Sequence, residues 1–181
     1  MGLALAEAAL DAGHDLVVVS GPVEVKYPPT IRVIEVVSTE DMLTQCQRFF
    51  HTCDGMIGVA APCDYRPVRV EPHKITKTGH PLELRLIETE DIVAMLGASK
   101  RMDQWVVGFA LETEDLRLRA LAKLEKKHCD LMVLNGTEAM NAVTNAVEII
   151  DPQGSVIANF SGPKGEVARG IFGVIQKRLI A

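Results

Sequence analysis

An acid and several cations follow one short apolar segment of the chain. Residues 55–61 are small or apolar and are typical of a buried strand. Asp64, followed by a tyrosine and an arginine, comes just after them, and Lys74 and Lys77 follow at short range. Because open α/β sheets bind ligands beyond the carboxyl ends of their strands, these side chains lie where a ligand is expected.

Each of these residues also has an ordinary structural interpretation. A lone loop aspartate such as Asp64 more often caps a turn than binds a ligand. An isolated lysine such as Lys74 is usually a solvated surface charge. Lys123 and Lys127 are spaced i and i+4, so they share one helix face, which most often faces solvent. Only their combination favours a binding site.

Composition limits the classes of function. The chain has 181 residues, of which 48% are hydrophobic and 24% charged, with a formal net charge of -5. This is an ordinary globular composition, and we expect one domain over residues 1–181. The negative charge gives no electrostatic footprint for nucleic acid or an anionic membrane, so neither is an expected partner.

The cysteines predict no metal centre. The four cysteines form no CxxC pair and have no zinc-like spacing with histidine. They indicate reduced thiols, and no apolar run reaches the length of a membrane span. We therefore expect a soluble, cytoplasmic protein with no metal ligands of its own.

Helix and strand patterns alternate along most of the chain and predict an α/β, Rossmann-like three-layer fold with a mostly parallel sheet. Residues 67–87 break the alternation and predict an extended arm of two segments, which could cover a site or pair with a second subunit in a homodimer. A β-hairpin and a closing helix are predicted at the C-terminus. The predicted helices are 2–12, 39–52 with Thr39 as cap, 114–127 and 166–179, and the predicted strands are 16–20, 31–37, 55–61, 106–110, 131–134, 146–150 and 156–160.

The sequence opens on a helix. In a doubly wound fold the first strand lies in the middle of the sheet and leads through a Gly-rich phosphate-binding turn into the first helix. A sheet without that strand leaves backbone groups unpaired, at about 1 to 3 kcal/mol for each buried group. Either another segment takes this place or the chain is truncated at its N-terminus, and we favour truncation.

Several ordered motifs together resemble phosphopantothenoylcysteine synthetase, the coenzyme A pathway ligase that bacteria usually carry fused behind a flavin-dependent decarboxylase. The resemblance covers essentially the whole chain. The motifs are Ser-Gly-Pro-Val at 20–23, residues 58–61, Asp-Tyr-Arg-Pro at 64–67, Lys-Ile-Thr-Lys at 74–77, Thr-Glu-Asp-Ile at 89–92, residues 106–110 with Glu112 and Thr113, and Lys123, Lys127, Asp130 and Asn135.

The resemblance implies a set of site residues. It makes Lys74 catalytic, because an ammonium can stabilise the negative charge that develops when a carboxylate attacks an α-phosphorus. It implies substrate contacts from Ala61, Lys77 and Asn135. It implies nucleotide binding by Gly58, Val59, Ala60, Asp64, Asp91, Ile92, Phe109, Lys123 and Lys127.

The implied activity is that of a CTP-dependent phosphopantothenate-cysteine ligase. CTP with magnesium would activate 4'-phosphopantothenate as an acyl cytidylate, and cysteine would displace CMP to form an amide. Pro62, Cys63 and Thr76 depart from the family pattern, and 135–144 lacks its Asp-rich segment. A catalytically degenerate nucleotide-binding remnant is therefore one alternative. An NAD(P)-dependent oxidoreductase is another, although the sequence has no GxGxxG.

Overall fold

The computed structural model describes residues 1–111, 116–135 and 144–180, so Glu112 and Thr113 lie outside the described residues. The helices are α1 (Gly2–Asp11), α2 (Thr39–Phe50), α3 (Ile92–Ser99), α4 (Leu116–Lys126) and α5 (Lys164–Ile175), and α5 continues into a π-helical turn (Gln176–Ile180). The strands are β1 (Val17–Ser20), β2 (Arg32–Glu35), β3 (Gly55–Gly58), β4 (Tyr65–Pro67), β5 (Leu86–Glu88), β6 (Trp105–Leu111), β7 (Leu131–Asn135), β8 (Thr144–Ile150) and β9 (Val156–Pro163).

The main sheet has five strands in the order β3-β6-β7-β8-β9. The first three strands are parallel, whereas β8 runs antiparallel to β7, and β9 antiparallel to β8. The α/β fold and the C-terminal hairpin are thus confirmed, and the sheet is mixed rather than wholly parallel.

Two apolar clusters cover the two faces of this sheet. On one face, α1 and α5 pack against the strands, with Val107, Val133 and Ile149 buried beneath them. On the other face, α2, α3 and α4 pack over Val106 and Met132. Neighbouring residues of β6 therefore point to opposite faces and are buried on both, as a sheet covered by helices requires. The predicted three layers are confirmed.

Strands β1 and β2 form a separate parallel pair. No strand in the described part of the chain joins this pair to the five-stranded sheet. The three valines of β1 are only half-buried. The expectation of a further strand from a preceding segment stays a prediction.

Two local expectations need correction. The cap of α2 is Ser38 and not Thr39: the Asp41 N–H donates to Ser38 Oγ (3.0 Å), and the Ser38 N–H donates to the Asp41 carboxylate (3.3 Å). This capping box requires an acid three residues after the cap, which Ser38 has and Thr39 lacks. In addition, α3 occupies a segment for which the sequence patterns predicted no helix.

The predicted arm forms after β3, although β3 was expected to be the central strand and instead lies at the edge of the five-stranded sheet. Strands β4 and β5 pair antiparallel at its base, so its two segments run side by side. The expected turn is present, with Gly79 at φ 76° and the His80 N–H donating to Thr78 Oγ1 (3.4 Å). Most of the arm is exposed, including Val70 at 82%.

Candidate functional site

The carboxyl ends of three parallel strands lie at one edge of the main sheet. Gly58 is the last residue of β3 and pairs with Gly108 of β6. Leu111 and Asn135 end β6 and β7 and pair with each other. Because β8 is antiparallel, it begins at this same edge and β9 ends there. Ligands of open α/β sheets bind at such an edge.

Gly58 allows α3 to approach this edge closely. A Cβ atom on Gly58 would lie 2.6 Å from Cγ2 of Val93, closer than real Cβ contacts, and a tight 3.1 Å from Cε of Met56. Val93 belongs to the first turn of α3, so this turn packs directly against the end of β3. A larger residue at position 58 would push α3 away from the sheet.

Asp91 and Lys127, both expected to bind nucleotide, contact each other at the start of α3. Asp91 is the N-cap of α3 and accepts the Ala94 N–H on Oδ1 (3.1 Å). The Lys127 ammonium lies 3.1 Å from Asp91 Oδ2. Burial alone would raise the pKa of Asp91, but the Ala94 N–H and the Lys127 charge outweigh it, so the pKa lies below its ordinary value. With Gly58, three predicted positions meet around this helical turn.

A second pair, absent from the predicted site, fixes the turn after α4 in which Lys127 lies. The Lys100 ammonium contacts both carboxylate oxygens of Asp130 (2.6 Å each) and donates to the His128 carbonyl (2.9 Å). Asp130 also accepts the Val106 N–H (2.7 Å). Lys100 follows the last residue of α3, and Asp91 precedes the first. Both ends of α3 therefore contact the segment at the end of α4. Asp130 matched a motif, but no sequence signal indicated its partner.

The loop that carries Asp64 is held by its backbone. The Thr89 N–H donates to the Asp64 carbonyl (2.9 Å), and the Thr89 hydroxyl donates to the Cys63 carbonyl (2.6 Å). Arg66 forms an ion pair with Glu40 of α2. The Asp64 side chain is exposed, so its carboxylate is available to a ligand while its backbone is fixed.

Lys74 and Lys77 lie on the exposed arm. Within residues 1–111, 116–135 and 144–180, neither has a hydrogen bond or an ion pair, and the structure does not bring them into contact with Asp91 or Lys127. Their catalytic and substrate roles stay predictions.

The remaining predicted residues divide between the surface and the core. Ala60, Ala61 and Lys123 are exposed. Val59 and Phe109 are half-buried against the cluster beneath α1 and α5, whereas Ile92 is buried among α2, α3 and α4. Asn135 is half-buried, and its Oδ1 accepts Nδ2 of Asn145 at 3.4 Å. Asn145 was not among the predicted residues.

The described residues contain neither a metal-binding cluster nor a membrane-spanning helix. No group of three or more His, Cys, Asp or Glu side chains in these ranges could hold a metal ion. None of the helices described is both long and apolar enough to cross a membrane.

Comparisons with known proteins match nearly the whole chain. The family described as the DNA/pantothenate metabolism flavoprotein C-terminal domain matches residues 1–179. A cysteine/cysteine sulfinic acid decarboxylase of an unknown prokaryotic organism is 38% identical over 176 residues, which make up 94% of this chain and 49% of that protein. The coenzyme A biosynthesis bifunctional protein CoaBC of Vibrio vulnificus (strain YJ016) is 35% identical over 160 residues, 85% of this chain and 40% of that protein.

A solved structure agrees with the fold. The C-terminal domain of the coenzyme A biosynthesis bifunctional protein CoaBC has a TM-score of 0.82 and 32% identity, covering 98% of this chain and 83% of that one. The chain spans only 49% and 40% of the length of the two relatives named above. Since the family match runs from residue 1 to residue 179 and the folds agree, the chain belongs to the DNA/pantothenate metabolism flavoprotein C-terminal domain family.

Proposed function

We propose that this chain is the synthetase domain of a coenzyme A biosynthetic protein. It joins 4'-phosphopantothenate to cysteine and uses CTP to activate the carboxylate. The observation that carries the proposal is the contact between Asp91 and Lys127 at the first turn of α3, against Gly58. Family membership supports the same activity. A fused or separate flavin-dependent decarboxylase and a homodimeric assembly belong to the proposal.

The proposed reaction has two steps. In the first, a carboxylate oxygen of 4'-phosphopantothenate attacks the α-phosphorus of CTP, the bond from that phosphorus to the bridging oxygen breaks, and pyrophosphate leaves. In the second, the amine of cysteine attacks the acyl carbon, CMP leaves, and the nitrogen loses a proton as the amide forms. Binding both reactants in line supplies much of the acceleration.

The residues divide these tasks by their chemistry. The Lys127 ammonium, with Lys123 one turn earlier, suits the triphosphate, and the carboxylates of Asp64 and Asp91 can accept hydrogen bonds from a ribose or a base amino group. Lys74 would stabilise the charge that develops at the reacting phosphorus. Magnesium would enter with the nucleotide, held largely by phosphate oxygens as this ion usually is.

The test is pyrophosphate release by the full-length protein with CTP, magnesium, 4'-phosphopantothenate and cysteine, repeated with ATP. Lys74→Gln should bind CTP nearly normally yet lose about a hundredfold or more in turnover, because it removes a group that acts mainly in the transition state. Arg69→Gln is the control, since Arg69 lies on the same arm with its side chain exposed.

The outcomes separate the candidate functions. Equal turnover by Lys74→Gln and wild type would make Lys74 an ordinary surface lysine. CTP binding without pyrophosphate release by the wild type would replace the ligase with the nucleotide-binding remnant, and Pro62 and Cys63 would be the first positions to revert to the family pattern.

A further inference from the structure

Asn145 has a buried hydrogen-bond acceptor without a partner. Its side chain is 5% exposed, and within residues 1–111, 116–135 and 144–180 its Oδ1 accepts no hydrogen bond. Gln104, another buried polar residue, differs: its Nε2 donates to the carbonyls of Phe50 (2.6 Å) and Cys53 (2.8 Å), and its Oε1 accepts the Arg101 N–H (2.9 Å). A buried acceptor left unpaired destabilises the fold, so the Asn145 oxygen calls for a donor from outside these residues.

The position of Asn145 indicates that a bound ligand supplies the missing donor. Asn145 lies at the start of β8 and pairs with Gly162 near the end of β9, so it belongs to the edge of the sheet where β7 ends. Its Nδ2 lies 3.4 Å from Oδ1 of Asn135, the last residue of β7. An unsatisfied amide oxygen therefore adjoins the residue already expected to contact substrate.

The chemistry of the two asparagines selects the ligand group. The Asn145 oxygen can only accept, so it cannot bind phosphate or carboxylate oxygens, which also accept. The Asn135 Nδ2 donates no hydrogen bond to any described residue, since only its Oδ1 is engaged. The pair thus offers one acceptor and one donor, and the acceptor complements the N–H of a secondary amide.

We propose that Asn145 is a substrate-binding residue whose Oδ1 accepts the amide N–H of the acid substrate, beside a donor from Asn135. The inference rests on the proposed function, because 4'-phosphopantothenate has an internal amide. The other source of an N–H donor is the amine of cysteine, which the two arms of the experiment distinguish.

The test uses Asn145→Leu in the full-length protein, with Asn159→Leu on the exposed surface of β9 as control. Leucine has nearly the same shape but no acceptor. It also removes the long hydrogen bond (3.4 Å) from Asn145 Nδ2 to Asn135 Oδ1, and the loss of the unpaired buried oxygen should offset this in Tm. We expect an unchanged or higher Tm, a KM for the acid raised about 10- to 100-fold, and unchanged KM values for CTP and cysteine.

A second arm needs no variant. The wild-type protein should bind 4'-phosphopantothenate at least about tenfold more tightly in calorimetry than the analogue methylated on its amide nitrogen, which has no N–H to donate. If the leucine variant fails to fold, this comparison still tests whether the amide N–H donates a hydrogen bond, and equal binding would overturn the inference.

Three results overturn the inference. The first is a lower Tm of Asn145→Leu with an unchanged KM for the acid. The second is a rise in the KM for cysteine and not in that for the acid. The third is equal binding of 4'-phosphopantothenate and its N-methylated analogue, including no binding of either. Failure of the proposed function would look different: the wild type would release no pyrophosphate, while the binding comparison would still show whether the amide N–H of the acid is recognised.

Discussion

The ammonium of Lys127 lies 3.1 Å from the carboxylate of Asp91, and this contact joins the turn that follows α4 to the residue that caps α3. The Lys127 side chain is only 24% exposed. Without nucleotide, the carboxylate therefore holds in place the cation that is proposed to bind phosphate.

Lys127→Ala should weaken CTP binding by about 1 to 3 kcal/mol, because a charge-assisted hydrogen bond to the triphosphate is lost. Lys123→Ala should have a similar effect. Calorimetric titration with CTP and magnesium measures both, and Lys126→Ala, an exposed neighbour on the same helix, is the control. Wild-type affinity in both variants would show that neither lysine binds the triphosphate.

Asp91→Ala should lower the free energy of unfolding by about 0.5 to 2 kcal/mol, the usual effect of losing an N-cap. Asp91→Asn should cost less, because asparagine caps a helix as well as aspartate. Urea denaturation of the three proteins measures the difference. A loss in Asp91→Asn equal to that in Asp91→Ala would mean that the charge, and not the cap, matters most.

The charge of Asp91 should make part of the stability depend on pH. Since its pKa is lowered in the folded protein, the carboxylate contributes its full stabilisation above the unfolded pKa of about 4 and loses it as pH falls through the folded pKa. The advantage of wild type over Asp91→Asn in urea denaturation should thus be constant near neutral pH and shrink in acid. The partly exposed position limits this advantage to about 1 kcal/mol. An advantage that grows in acid would contradict the assignment.

Gly97→Ala should disturb the same region from the opposite side of α3. A Cβ there would overlap the Lys127 carbonyl oxygen and approach Cβ of His128 to 3.2 Å, so α3 and the end of α4 must separate. We expect a loss of about 1 to 3 kcal/mol in thermal or urea unfolding, together with weaker CTP binding. In the control Gly173→Ala, no atom beyond the adjoining residues and the nearby backbone of α5 lies within 4 Å of the new Cβ, and stability should be unchanged or slightly higher. Similar effects of the two substitutions would refute a specific contact.

Thiol labelling should distinguish the cysteines and report on Asp64. Cys63 is exposed beside Asp64, whereas burial raises the pKa of Cys46 and Cys129 to about 11. Near pH 8, peptide mass spectrometry should show Cys63 alkylated first. CTP with magnesium should slow this reaction, with labelling of the denatured protein as control. Unchanged labelling of Cys63 at saturating CTP would place the nucleotide away from Asp64.

The spacing of apolar residues along the sequence predicted the helices and strands that bury one or both of their faces. Strands β6 and β7 and the hairpin were found this way, because their apolar residues occur in short runs bounded by turns. The helix α3 was missed because its eight residues are apolar on nearly every side, so they carry no 3.6-residue pattern. The cap of α2 was misplaced by one residue, although the capping-box rule would have selected Ser38.

The sequence motifs indicated candidate site residues but not how they are arranged. The motifs indicated Asp91 and Lys127 separately, while their contact depends on how α3 packs on the end of α4. The pairing of Lys100 with Asp130 depends on the same packing, which has no local signature. Asn145 was missed because a buried amide is recognised only when its partners are known.

The unpaired sides of β1 and β3 bear on how the protein behaves in concentrated solution. Each strand has a hydrogen-bonded neighbour on one side only within the described ranges, and neither contains a proline or a charge to discourage pairing on the other. Extended segments of other molecules add readily to such edges by backbone hydrogen bonding. The unpaired sides of Val17–Ser20 and Gly55–Gly58 thus make these strands the places at which intermolecular β-sheet, and with it aggregation, would begin unless another segment covers them.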